Sequence, residues 1–98
     1  MHTINAFLGG IDIWLREQGH KSALNLSYRK GSPCFGGVPN ITMPDSKLLL
    51  QIKGDRLVVV RVDHDEHGVI QYCGNWSLEL CDPVMFDQLG ELVRENHA

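Results

Sequence analysis

Hydrophobic residues near the N-terminus recur at intervals of three and four positions, which predicts an amphipathic helix over residues 4–18. Its apolar positions are Ile4, Phe7, Leu8, Ile11, Trp14 and Leu15. The polar positions assigned to its opposite side are Asn5, Asp12 and Arg16. Gly19 is placed to end the helix. Gly9 and Gly10 lie inside it and each costs about 1 kcal/mol relative to alanine, so we expect this helix to need its tertiary contacts.

A second helix is predicted near the C-terminus. Asp82 followed by Pro83 combines a favoured N-cap residue with the one helical position where proline is welcome, so the helix should begin there. Its apolar side is formed by Met85, Phe86, Leu89, Leu92 and Val93.

Four short runs of β-branched and aromatic residues between the helices predict an antiparallel meander. They cover residues 48–52, 57–62, 69–72 and 76–80. Tight turns are expected at residues 54–55 and 74–75, with a polar tip at residues 63–68. A further strand is expected at residues 23–28. The predicted fold class is α+β, with an N-terminal helix, an antiparallel sheet of four to five strands and a C-terminal helix, all in one domain over residues 1–98.

The register of the central hairpin follows from its two-residue turn. That turn places Leu50 opposite Val59 and Ile52 opposite Leu57. The core face predicted from this pairing contains Leu48, Leu50, Ile52, Leu57 and Val59, with Ile70 and Tyr72 on the same side. A strict turn at Gly74 would send the last strand to the other face. A one-residue bulge would return Leu78 and Leu80 to the core, and we favour the bulge.

A second face of the sheet also carries apolar residues, namely Val58, Val60, Val62 and Val69. Valine suits a pleated surface in contact with water, which is one interpretation of this pattern. The other is burial against a helix or a second subunit, because stacked apolar residues are less common on a solvated face. The second interpretation is our reason for expecting a homo-oligomer.

Glycine, proline and serine interrupt residues 29–46 so often that no regular element is expected there. The segment also carries Phe35, Val38, Ile41 and Met43, which either pack onto the domain or contact a partner. The candidate protein-binding residues are Phe35, Val38, Ile41, Val58 and Val60.

Composition and charge argue against nucleic acids and membranes as partners. The chain has 98 residues, of which 43% are hydrophobic and 21% charged, and its formal net charge is −3. These values are typical of an ordinary globular domain and give no electrostatic basis for nucleic-acid or membrane binding. The N-terminus does not resemble a secretory signal and no apolar run is long enough to span a bilayer, so the cytoplasm is the expected location.

Few residues in the sequence suggest a catalytic or metal-binding site. Cys34, Cys73 and Cys81 show no C-x-x-C spacing, which argues against a disulfide framework and a thiolate zinc site. Activation of Cys34 as a nucleophile would need a neighbouring base that the sequence cannot place. His64 and His67 lie with three carboxylates in one polar tip, which matches no closed metal site and is better explained as a solvated turn. We therefore predict no catalytic residue, no metal and no cofactor.

Three classes of function remain open. The first is a non-enzymatic protein-interaction module of inhibitor, immunity or regulatory type, acting on another protein or on a second copy of itself. The alternative is a small-molecule-binding domain whose pocket, between sheet and helices, is lined by Trp14, Tyr72 and Trp76. The third is an enzyme using Cys34 or the histidines of the tip, for which no motif is present.

Overall fold

The computed structural model describes residues 2–26 and 38–97. Helix α1 spans His2–Glu17 and helix α2 spans Met85–Asn96, with five strands between them. The strands are β1 (Ala23–Asn25), β2 (Asn40–Met43), β3 (Leu48–Lys53), β4 (Arg56–His64) and β5 (Ile70–Glu79). They form one antiparallel sheet in the order β1-β2-β3-β4-β5. The predicted fold class, α+β with a meander between two helices, is confirmed.

The hairpin of β3 and β4 has the predicted register. Leu50 lies opposite Val59, and Ile52 lies opposite Leu57. Gly54 adopts a φ of 63° in the turn, a left-handed conformation that glycine reaches without steric cost. We call the side of the sheet that carries these leucines, isoleucine and valine the core face, and all four are buried.

Both helices pack against the core face. The apolar side chains of α1 and α2 join the core-face side chains in a single buried cluster. The helices contribute Leu8, Ile11, Leu15, Met85, Leu89, Leu92 and Val93 to it. The rings of Trp14 and Phe86 also meet between the helices, with 4.9 Å between their centroids. Neither helix therefore covers the opposite side of the sheet, which we call the outer face. Within the described residues, no helix combines the length and hydropathy needed to cross a membrane.

Strand β2 corrects the expectation that residues 29–46 contain no regular element. Ile41 pairs with Leu50 of β3, and both side chains are fully buried. Pro39 and Pro44 lie just outside the ends of β2, so the prolines delimit the strand rather than interrupt it. Phe35 and Cys34 lie outside the described residues.

Strand β5 is a single ten-residue strand where two strands and a turn were predicted. Gly74 and Asn75 lie inside it, paired with β4. A Cβ atom added at Gly74 would lie 2.7 Å from Cη2 of Trp76, so this glycine makes room for the indole ring. The residues that follow face the core, as expected with a bulge: Leu78 is buried and Leu80 packs against the buried cluster.

The bulge lies at Cys73. Gly74 is opposite Arg61 while Tyr72 is opposite Val62, so Cys73 is an extra residue on β5. One inserted residue reverses the faces of the preceding part of the strand. Tyr72 therefore lies on the outer face, together with Val62. The prediction that Tyr72 and Ile70 share the core face was wrong.

Helix α2 starts slightly later in the chain than the sequence predicts. Helix α2 begins at Met85 instead of Pro83. Asp82 still accepts two hydrogen bonds of 3.0 Å, one on its side chain from the Val84 amide and one on its carbonyl from the Met85 amide. It thus closes the turn that leads into the helix.

Asp12 was predicted on the polar side of α1 but is buried. Its carboxylate accepts a hydrogen bond of 2.6 Å from the Ser22 hydroxyl and lies 3.3 Å from Nε of Arg16. These contacts satisfy the buried charge and tie the chain entering β1 to the helix.

Candidate functional site on the outer face of the sheet

The outer face is formed by the residues that alternate with the core positions along each strand. From β2 to β4 these include Thr42, Leu49, Gln51, Lys53, Arg56, Val58, Val60 and Val62. Strand β5 adds Ile70, Tyr72, Asn75 and Ser77. The face is polar at the end near the β3–β4 turn and apolar at the opposite end.

Arg56 organises the polar end. Its guanidinium donates hydrogen bonds to the hydroxyl and the carbonyl of Ser77 on β5, and Nη1 lies 3.5 Å from Oε1 of Glu79. Lys53, its pairing partner on β3, is exposed. This end of the face is therefore solvated and charged.

The apolar end contains a groove of about 480 Å³ that reaches the turn between β2 and β3. Its apolar lining includes Ala23, Pro44, Leu49, Val62 and Ile70. A second depression, of about 550 Å³, lies on the other side of Leu49 and is lined partly by Val60 and Tyr72. Leu49 is only 5% exposed although it lies outside the core-face cluster. Leu49 is thus a buried side chain that both depressions share in their lining.

Large apolar side chains remain exposed beside the groove. Ile70 is 41% exposed and Tyr72 is 61% exposed, and the adjoining Val69 is 57% exposed. Because Tyr72 lies opposite Val62 and Ile70 opposite His64, these side chains form one contiguous surface across two strands. We call the surface formed by Leu49, Val60, Val62, Ile70 and Tyr72 the apolar patch.

A charged cluster is formed around Asp63 by Arg61 and by Lys47, of which Lys47 also lines the groove. Nζ of Lys47 lies 2.9 Å from Oδ1 of Asp63, and Nε of Arg61 lies 3.6 Å from Oδ2. The hydrogen bond from Lys47 is the largest cause that lowers the pKa of Asp63; the positive charges of Lys47 and Arg61 and a contact with the Cys73 thiol act in the same direction, against partial desolvation. The carboxylate is therefore held in its charged form.

Lys47 also fixes the turn between β2 and β3. Its backbone φ is 58°, in the left-handed region that residues other than glycine rarely adopt. Its carbonyl accepts a 2.8 Å hydrogen bond from the Val62 amide. The backbone bond and the ion pair together hold the rim of the groove to β4.

The predicted protein-binding residues are only partly brought together. Val58 and Val60 lie half-buried on the outer face, and Val38 is exposed just before β2. Ile41 is fully buried on the core face, so its side chain is not available to a partner. Phe35 lies outside the described residues.

The three aromatic residues predicted to line one pocket are separated. Trp14 packs against Phe86 and borders a depression of about 500 Å³ between the helices, lined largely by polar side chains. Trp76 packs over Gly74 on the core face. Tyr72 lies on the outer face. A pocket between sheet and helices is therefore not formed by these residues.

The polar tip behaves as a turn. The side chain of Asp65 accepts 2.9 Å hydrogen bonds from the amides of His67 and Val69, which fixes the loop. Nε2 of His67 lies 3.5 Å from Glu66, and both side chains are exposed. In residues 2–26 and 38–97 there is no group of three side chains placed to hold a metal ion. Cys73 and Cys81 are exposed thiols.

Besides the misplaced Ile70 and Tyr72, the sequence analysis does not single out Leu49 or Lys47 as residues of this site. Leu49 was passed over because its neighbours set the core face, although the unbroken run of leucines at residues 48–50 was a signal that β3 is apolar on both faces. No sequence pattern indicates the ion pair between Lys47 and Asp63, because the two residues are sixteen positions apart in the chain.

Comparisons of the chain with models of protein families, with curated proteins and with solved structures find no match. The class of protein is therefore defined by the fold itself, a five-stranded antiparallel meander with two helices on one face.

Proposed function

We propose that this protein is a non-enzymatic protein-interaction module that contacts its partner through the apolar patch. The observation that carries the proposal is the position of the patch on the face that neither helix covers. Single exposed apolar residues are normal, but a contiguous group that includes an exposed tyrosine is typical of contact surfaces.

The composition of the patch suits protein recognition. Tyr72 combines a large apolar ring with a hydroxyl group that can remain hydrated at the rim of an interface. The polar end of the outer face, organised by Arg56, would border the contact and limit it to one end of the sheet. The partner is another protein or a second copy of this chain.

The test replaces apolar residues on the central strand of the patch. Val60→Asp with Val62→Asp adds two charges to the patch, and Gln18→Asp with Gln88→Asp adds the same two charges on the helix side as a matched control. We expect the wild-type and control proteins to retain one stoichiometric partner in cross-linking and affinity capture from the native host, or to self-associate through the patch, and the patch variant to lose that contact.

Two controls make this test decisive. Cooperative thermal melting must show that the patch variant is folded, and Val60→Thr with Val62→Thr, which keeps side-chain shape while adding hydroxyl groups, should weaken binding without unfolding. Equal partner retention by the folded Asp variant and the wild type would contradict the proposal. So would a wild-type protein that is monomeric and captures nothing.

The groove supports a second candidate function, small-molecule binding. Its volume of about 480 Å³ lies within the range of about 300–1,000 Å³ common for ligand pockets, and most of its lining is apolar. Saturable one-to-one binding of the apolar anion 8-anilinonaphthalene-1-sulfonate, lost in Val62→Phe because the larger side chain fills the groove, would favour this function. Unsaturable binding would argue against it.

A further inference from the structure

The two edges of the sheet differ greatly in length. Strand β1 has three residues, while β5 has ten. In the part of the chain that the structure describes, β4 pairs with one side of β5 and no strand pairs with the other side. Seven of the ten residues of β5 are exposed. The backbone amides and carbonyls on the free side of β5 are therefore open to another strand.

Most of the features that protect natural edge strands are missing from β5. It contains no proline, lysine or arginine, and its only charged side chain is Glu79 at its C-terminal end. The bulge at Cys73 is the single device that disturbs the edge. It leaves residues 74–79 as a regular six-residue ladder.

We propose that the free edge of β5 pairs antiparallel with β5 of a second copy, joining two five-stranded sheets into one of ten strands. This contact uses the backbone at the edge of the sheet, so it goes beyond the proposed use of the apolar patch. It would place the outer faces of the two copies side by side on one continuous surface.

A second copy fits this edge better than an arbitrary strand. An antiparallel pair about a two-fold axis presents the same donors and acceptors from both sides, so the edge complements itself. Antiparallel pairing also puts the two Glu79 carboxylates at opposite ends of the new ladder. No like charges then face each other across the contact.

The test places lysines on the edge strand itself. Gln71→Lys with Asn75→Lys changes two exposed positions of β5, and lysine on an edge opposes strand addition. Gln18→Lys with Gln88→Lys adds the same charge on the helix side as a control. Sedimentation velocity over a range of concentrations then reports the oligomeric state.

We expect the wild type and the helix-side control to sediment as dimers of twice 11.0 kDa, and the edge variant to sediment at 11.0 kDa. Hydrogen exchange should show that the edge variant loses protection at least tenfold for those amides of residues 74–79 that face the free edge. A monomeric wild type, a dimeric edge variant or unchanged exchange would each overturn the proposal.

The patch variant Val60→Asp with Val62→Asp separates the two proposals. An edge dimer should survive these substitutions on β4, because they leave the backbone of β5 unchanged. Loss of the dimer in a folded patch variant would assign self-association to the outer face and overturn the edge contact. Loss of a different partner with the dimer intact would support both proposals.

Discussion

Gly9 and Gly10 lie inside helix α1, and a Cβ atom added at either position meets no heavy atom within 4 Å. Replacement by alanine therefore removes the backbone entropy cost of glycine without creating a clash. We expect Gly9→Ala with Gly10→Ala to stabilise the protein.

The magnitude follows from helix propensity alone. Each substitution should contribute about 1 kcal/mol, and adjacent helical residues do not face each other, so the pair should add to about 2 kcal/mol. For a domain of this size, 1 kcal/mol corresponds to about 4–8 °C, which predicts a rise in melting temperature of about 10 °C. Urea denaturation should show the same gain with an unchanged slope.

Gly54→Ala is the matched control. Space around Gly54 is equally open, but its φ of 63° is unfavourable for alanine, so this variant should lose about 1 kcal/mol. If both variants changed the free energy of unfolding in the same direction, the reasoning would be refuted. No gain in the helix variant would mean that residues 9–10 are not helical in solution.

Three further predictions concern side-chain contacts. Ser22→Ala removes the hydroxyl donor from the buried Asp12 carboxylate and should cost about 1–3 kcal/mol in urea denaturation, whereas full stability would contradict the contact. Gly74→Ala forces Trp76 to move and should cost about 1–3 kcal/mol with a shift in tryptophan fluorescence; an unshifted spectrum would count against the close approach. The pKa of Asp63 is lowered in the folded state, so its stabilisation is complete above the ordinary pKa of about 4 and is lost as pH falls through the lowered value. Asp63→Asn should therefore flatten the stability profile below about pH 4, and a profile parallel to that of the wild type would reject the ion pair.

Local signals explain why the central hairpin was predictable. The residues at Gly54 and Asp55 specify a two-residue turn, and the alternating apolar residues on either side set the register that pairs Leu50 with Val59. Both helices could likewise be predicted from the periodicity of their apolar residues. The face of the sheet on which they pack could not be predicted, because it depends on contacts between distant segments.

Nonlocal pairing also explains the errors. Strand β2 is only four residues long and is stabilised by its pairing with β3, which a local pattern does not reveal. The single extra residue at Cys73 places Tyr72 on the outer face, so a pattern of strict alternation predicted the wrong side. The position of Val58 and Val60 on the second face of the sheet could be read from alternation, and their role as protein-binding residues stays a prediction. The groove and the ion pair of Lys47 required the folded arrangement.

Strand β1 has only three residues, and such a short edge strand opposes the addition of a further strand at that side of the sheet. If two copies pair through β5 as proposed, each copy uses its long edge in that contact, and the edges left over are the short β1 strands. Such a pairing would close at two molecules instead of extending into a fibre.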